Sequence, residues 1–211
     1  MTDSQLEQYL GKHCTPPTEV LHDLWRHTWL HAVYPRMAAG PQHGLFLQMI
    51  CRMLRPASVL EIGTFTGYAA IAMAMATPDQ SLITSIEANE EHLSIASRYV
   101  EKAGLHHKVR LIRGDAKQVL PALSQRYDLI YLDADKMSYP DYFPQLKRLL
   151  SEGGFLLADN VLWGGKVVDP SVSDRETEAL RLFNKLVRDD SDFEQLILPL
   201  HDGLLMARKL S

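Results

Sequence analysis

Apolar positions in the first third of the chain recur three and four residues apart. Leu21, Leu24, Trp25 and Thr28 share one stripe of Thr18–Val33, and Leu47, Ile50, Cys51 and Leu54 share one stripe of Gly44–Leu54. That spacing predicts amphipathic helices. Ser4–Cys14 is a shorter helical candidate that stops before Pro16–Pro17, and Gly40–Pro41 reads as a break. After Pro56 the pattern changes. Short apolar runs of strand length alternate with helical stretches. Strands are predicted at Ser58–Ile62, Ser81–Glu87, Val109–Arg113, Tyr127–Asp133 and Phe155–Asp159. Helices are predicted between and after them at Tyr68–Ala76, Glu90–Ala103, Ala116–Leu123, Tyr139–Leu150 and Arg175–Arg188. Phe193–Pro199 and Gly203–Arg208 close the chain as two strands joined by a His201-Asp202-Gly203 turn.

This alternation predicts an α/β fold of the doubly wound, Rossmann-like kind. The strands near Val59, Ile130 and Leu156 are almost wholly apolar, as parallel strands buried on both faces are. The two closing strands suggest an antiparallel edge. The expected organisation is one domain over 1–211, with a helical extension at 1–55 and an α/β core at 56–211.

Composition adds boundaries to this reading. The chain has 211 residues, 46% hydrophobic and 23% charged, with a formal net charge of -4. That is ordinary for a globular protein and demands no polyanionic partner. The two cysteines, Cys14 and Cys51, form neither a disulfide framework nor a metal-spaced pair. The polar opening MTDSQLEQYL is unlike a secretion signal. The longest apolar run, Tyr68–Ala76, is too short to span a bilayer. A cytoplasmic protein without a membrane partner is expected.

In parallel sheets of this kind ligands bind beyond the carboxyl ends of the strands, so the chemistry should lie there. The first strand ends in Glu61-Ile62-Gly63-Thr64-Phe65-Thr66-Gly67-Tyr68. This is not GxGxxG, so no pyrophosphate cradle is present. It is either a nucleoside site without a phosphate or a plain strand-to-helix turn. Glu87 ends the second strand, where an acid can accept hydrogen bonds from ribose hydroxyls or simply be solvated. Asp115, after the third strand, either caps the next helix or meets an adenine amino group. Asp133 ends the fourth strand, and Asp159-Asn160 the fifth. Neighbouring parallel strands would bring these side by side. Two close carboxylates repel unless a cation or proton lies between them. With an amide oxygen they make a hard oxygen set suited to magnesium, calcium or manganese rather than zinc. The alternative is that they are caps and turn formers. No H-E-x-x-H and no G-x-S-x-G occurs.

Six segments in order, VLEIGTFTGY, ITSIEANEEHLSIA, VRLIRGDA, YDLIYLDADKMSYPDYF, GGFLLADNVLWGGKV and LPLHDGLLMARK, closely resemble the cation-dependent O-methyltransferases. That family includes caffeoyl-CoA and catechol O-methyltransferases and bacterial relatives. The resemblance runs from Met37 to the C-terminus. It implies that Glu61, Gly63, Thr64 and Tyr68 line the methionine side of S-adenosylmethionine, that Glu87 holds the ribose, and that Ala116 lies near the adenine, with Asp115 counted among the cofactor-binding residues. Met37 and Ala39 match positions that close over the cofactor. Asp133, Asp159 and Asn160 match the metal ligands, with Asp133 also beside the cofactor and magnesium the foremost cation. Lys136 matches the lysine of the D-x-x-K pattern, and Trp163 a substrate-side aromatic. Many members carry serine where this chain has Ala69, so only the backbone N–H of Ala69 remains for that contact. A homodimer is also implied.

The resemblance implies methyl transfer to a hydroxyl oxygen of a catechol-like or phenolic small molecule. A phenol, with a pKa of about 10, is a poor nucleophile until its proton is lost, and a dication would lower that pKa. Lys136 then serves as a proton acceptor or as a fixed positive charge. A second acceptor to weigh is a hydroxylated uridine in transfer RNA, which needs a basic rim from Arg26, Arg36, Arg52, Arg55 and Lys166. A third reading is a non-catalytic nucleoside-binding module.

Overall fold

The computed structural model describes residues 3–210, so the first two residues of the polar opening and Ser211 lie outside it. Three helices come first: α1 (Asp3–His13), α2 (Glu19–His31) and α3 (Pro41–Leu54). The α/β alternation follows as β1 (Ser58–Ile62), α4 (Tyr68–Ala76), β2 (Leu82–Glu87), α5 (Glu90–Lys102) and β3 (Val109–Arg113). It continues through α6 (Ala116–Ala122), β4 (Tyr127–Leu132), α7 (Tyr139–Leu149), β5 (Leu150–Asp159) and α8 (Arg175–Asp189). The chain ends in β6 (Phe193–Leu198) and β7 (Leu204–Lys209).

All seven strands join one sheet in the order β3-β2-β1-β4-β5-β7-β6. The first five are parallel, and β7 runs antiparallel to both β5 and β6. This is the expected mostly parallel sheet with an antiparallel C-terminal edge. The order reverses between β1 and β4. Chain connections leave in opposite directions there and open a crevice above the strand ends.

Strand alternation explains the layering. Leu60, Ile62, Ile130, Leu132 and Leu156 point to one face, where α7 and α8 bring Leu146, Leu149, Leu180 and Phe183. Val59, Leu129, Tyr131 and Leu157 point to the other, where α2, α3 and α4 bring Leu24, Leu47, Ile50 and Ile71. The N-terminal helices are therefore part of the core. The Thr28 hydroxyl lies 2.9 Å from that of Thr66, tying α2 to the turn before α4.

Two elements depart from the sequence expectation. Helix α3 begins at Pro41 rather than Gly44, because Gly40 is its N-cap and Pro41 takes the first helical position, where the missing N–H costs nothing. Strand β5 begins at Leu150 rather than Phe155. It carries Gly153, with φ +74°, through a register shift opposite Tyr127 and Leu129; the left-handed glycine fits such a bulge. Short 3-10 turns at Pro35–Met37, Lys136–Ser138 and Trp163–Val168 were not expected. Among the described residues no helix is long and apolar enough to cross a membrane.

Gly63 shows how tightly the crevice is built. Its φ is +97°, and a Cβ there would lie 1.9 Å from the Asp133 carbonyl oxygen. At Gly104, with φ +70°, a Cβ would meet nothing within 4 Å. Gly63→Ala is therefore expected to destabilise by at least about 3 kcal/mol, and Gly104→Ala by only about 1 kcal/mol, in urea unfolding.

Candidate active site

The crevice is a cavity of about 950 Å³, the size of a small-molecule site. Its floor is made by the turn from β1 into α4. Gly63 and Thr64 donate their N–H groups to the Ile86 carbonyl at 3.0 and 3.2 Å, which pins the turn against β2. Gly63, Thr64, Phe65, Thr66, Tyr68 and Ala69 line the cavity. They present the N-terminal turn of α4, whose first N–H groups lack partners within the helix and favour a negative group.

Glu87 faces the same space from the end of β2. Its Oε2 accepts the Phe65 N–H at 2.7 Å and its Oε1 the Asn89 N–H at 2.9 Å. The carboxylate is thus fixed in orientation, with lone pairs left for hydroxyl donors. The capping reading holds for Asp115. It accepts the Lys117 N–H at 2.8 Å as the cap of α6, and with Ala116 it lines the cavity. Met37 and Ala39 border the opening opposite the turn.

Glu61 sits differently. It is fully buried behind the Gly63 turn and does not face the open cavity. Its Oε2 accepts from the Ser85 hydroxyl, which lies 2.5 Å from the Thr64 hydroxyl. Its Oε1 has no hydrogen-bond partner among the described residues. Burial raises its pKa to about 8; the Ser85 bond opposes this, and the Asp133 and Glu87 charges add to it. An orphaned buried carboxylate oxygen beside this turn fits a cationic donor such as the amino group of a bound amino acid.

At the other end of the cavity β4 and β5 deliver Asp133, Asp159 and Asn160 together. Asn160 has φ +60°, a conformation that asparagine tolerates. The Asp159 Oδ1 accepts the Asn160 N–H at 2.8 Å. Burial, then the Asp133 charge, raise the Asp159 pKa; His43 and Lys136 oppose them. Like charges held close in a partly dry space fit a cation. No group of three or more His, Cys, Asp or Glu side chains is gathered for a metal among the described residues. A cation here would therefore rest on two carboxylates and the Asn160 amide, with water or acceptor oxygens completing its shell.

Lys136 lies beside this set. Its Nζ donates to Asp133 Oδ1 and to Tyr139 Oη, each at 2.7 Å. Burial works against its charge, but Asp133 and Tyr139 outweigh burial and hold the ammonium above its usual range. Tyr139 escaped the sequence reading, although its i,i+3 spacing from Lys136 was the available signal. Trp163 lines the cavity next to Asn160. Three further lining residues, His43, Tyr131 and His201, carried no local pattern in the sequence. All the residues singled out from the sequence, Glu61 and the basic set aside, thus border one cavity.

Comparison with known proteins agrees with this geometry. A family model described as O-methyltransferase matches residues 12–210. The chain is 36% identical over 187 residues to caffeoyl-CoA O-methyltransferase 1 of Nicotiana tabacum, covering 83% of this chain and 78% of that protein. It is 31% identical over 182 residues to a catechol O-methyltransferase of Niastella koreensis, covering 82% of each. An O-methyltransferase from Bacillus cereus, solved in complex with SAH, superposes with a TM-score of 0.91 at 27% identity, covering 97% of both chains.

The raised Glu61 pKa has a signed consequence for the unliganded chain. Below the ordinary carboxylate range both folded and unfolded forms are protonated, and the contribution to stability is complete. It falls as pH rises through the usual value and is lost above about 8. Between about pH 5 and pH 8.5 the wild type should lose roughly 2–5 kcal/mol relative to Glu61→Gln. Urea unfolding of both proteins without cofactor measures this.

Proposed function

The chain belongs to the O-methyltransferase family, and from that premise we propose that it methylates a hydroxyl oxygen of a catechol-like or phenolic small molecule with the help of a divalent cation. It is an S-adenosylmethionine-dependent enzyme. The cation, magnesium foremost and calcium or manganese as alternatives, would be held by Asp133, Asp159 and Asn160. The observation that carries this reading is the meeting of two carboxylates, an amide and Lys136 at one end of a cavity.

When bound, the cofactor supplies an electrophilic methyl group and the cation supplies positive charge that lowers the proton affinity of an acceptor hydroxyl. The chain's own residues do the rest by holding and aligning. In our reading Glu87 takes the ribose hydroxyls and Asp115 and Ala116 flank the adenine. The free N–H groups at the start of α4, that of Ala69 included, receive the cofactor carboxylate, and Glu61, a layer below the turn, favours its amino group from behind. Met37 and Ala39 close the opening. Lys136, already charged, stands as a fixed positive charge where negative charge develops on the acceptor. Trp163 offers a flat apolar wall to an aromatic acceptor. Placing acceptor and methyl donor in line is the main contribution to rate. Two adjacent hydroxyls would satisfy two open coordination positions at once, which favours catechol-like acceptors.

A transfer-RNA acceptor gains no support. Of the cations it needs, only Arg36 lines the cavity. Arg52 bonds Gln48, and Lys166 pairs with Asp174. A homodimer belongs to the proposal as well. Trp29, Leu30, Val33, Met49 and Met53 leave apolar area exposed on and just after α2 and on α3, which a second copy could cover. The free thiols of Cys14 and Cys51 accord with a cytoplasmic setting.

Transfer of labelled methyl from S-adenosylmethionine to a panel of catechols, flavonoids, coenzyme A thioesters and transfer RNA, with and without magnesium, tests the reading. Magnesium-dependent labelling of a catechol-type acceptor is expected. Asp133→Ala and Asp159→Ala should each lower it at least about 100-fold while leaving the fold intact. Undiminished transfer by folded Asp133→Ala, or transfer indifferent to chelation, would overturn it.

A further inference from the structure

We propose that His43 and Tyr131 form a hydrogen-bond relay that positions the Asp159 carboxylate, so that helix α3 sets the cation affinity of the site. The inference rests on the cation reading above. His43 lies in the first turn of α3 and is 7% exposed; Tyr131 lies in β4 and is 1% exposed. Tyr131 Oη donates to Asp159 Oδ2 at 3.3 Å and lies 3.0 Å from His43 Nε2. The same imidazole nitrogen is 3.8 Å from Asp159 Oδ2.

A phenol has one proton. With that proton given to Asp159, the Tyr131 oxygen can only accept from His43, so the imidazole carries its hydrogen on Nε2. The direction of the chain is then fixed: His43 N–H to Tyr131, Tyr131 O–H to Asp159. The second carboxylate oxygen, Oδ1, is fixed by the Asn160 N–H at 2.8 Å. Both oxygens are thus tethered, and the carboxylate plane is set while each oxygen keeps a lone pair. Asp133 has no such frame: one of its oxygens is bound by Lys136.

Packing alone does not account for the arrangement. Phenylalanine at 131 and an apolar residue at 43 would fill the space without taking an imidazole and a hydroxyl out of water. Nor is His43 gathered with Asp133 and Asp159 in metal-binding geometry. Its Nε2 is committed to the phenol. His201, from the turn between β6 and β7, lies 5.8 Å from the His43 ring at a tilt of 50°, and both rings line the cavity. Outer partners of this kind orient a ligand, and losing them weakens metal affinity.

Manganese(II) binding, followed by electron paramagnetic resonance of the free ion, tests the relay in wild type, Tyr131→Phe, His43→Ala, the double variant and His43→Gln. Binding of S-adenosylhomocysteine is measured alongside by calorimetry. Each single removal should weaken manganese binding about 10-fold. The double variant should fall within about twofold of the weaker single one, because both changes break one chain. His43→Gln, which keeps an N–H donor, should recover most of the affinity. Binding of S-adenosylhomocysteine should stay within about twofold throughout. Unchanged manganese affinity in folded Tyr131→Phe and His43→Ala would overturn the relay, as would losses that multiply in the double variant or a parallel fall in S-adenosylhomocysteine binding. Absence of manganese binding by the wild type would instead overturn the cation reading and the relay with it.

Discussion

Asp133 and Asp159 leave neighbouring parallel strands at the same end of the sheet, and both line the same cavity. Their mutual repulsion is the constraint around which the site is arranged. Burial and the Asp133 charge together raise the Asp159 pKa, so the unliganded pair stores an electrostatic cost that a cation would relieve. The surroundings answer that cost in two ways. Lys136 neutralises Asp133 directly, whereas Asp159 is braced by neutral donors from Asn160, Tyr131 and, through the phenol, His43. A cation would therefore meet one carboxylate already paired with Lys136 and one oriented by hydrogen bonds.

The rest of the fold serves this meeting point. Reversal of strand order between β1 and β4 opens the crevice. The left-handed Gly63 lets the β1 turn pass against the Asp133 carbonyl. A wider turn would move Glu87 and Asp115 away from Asp133 and Asp159. One close backbone contact thus holds the two sets of acids around a single cavity. The antiparallel edge contributes through its turn, where the Val161 and Leu162 N–H groups donate to the Gly203 and Asp202 carbonyls and fasten the loop after β5.

What the sequence revealed follows the same division. Strand-end residues were legible because a buried parallel strand is an apolar run that an acid closes at the ligand edge: Asp133 and Asp159 announce themselves this way, and Glu87 is the first charged residue of a strand that also carries Thr84 and Ser85. Lys136 and Trp163 entered through resemblance to a family. The N-terminal contribution was not legible. His43 sits in a helix whose start was obscured by Gly40–Pro41, and a lone histidine on a helix gives no sign of reaching across to β4. Tyr131 was hidden for the opposite reason, since an aromatic inside an apolar strand reads as core. The family resemblance puts Glu61 on the methionine side of the cofactor; its carboxyl is fully buried a layer below the cavity lining, a depth that strand pattern does not give. Which face of a strand and which turn of a helix meet is a tertiary fact that local pattern does not encode.

The central claim, that Asp133, Asp159 and Asn160 together hold a divalent cation, is tested most directly by anomalous diffraction from crystals grown with manganese and S-adenosylhomocysteine. The account predicts one strong anomalous peak about 2.1 Å from a carboxylate oxygen of Asp133, one of Asp159 and the amide oxygen of Asn160. A fully occupied manganese peak elsewhere, or none at these residues under saturating manganese, would contradict it.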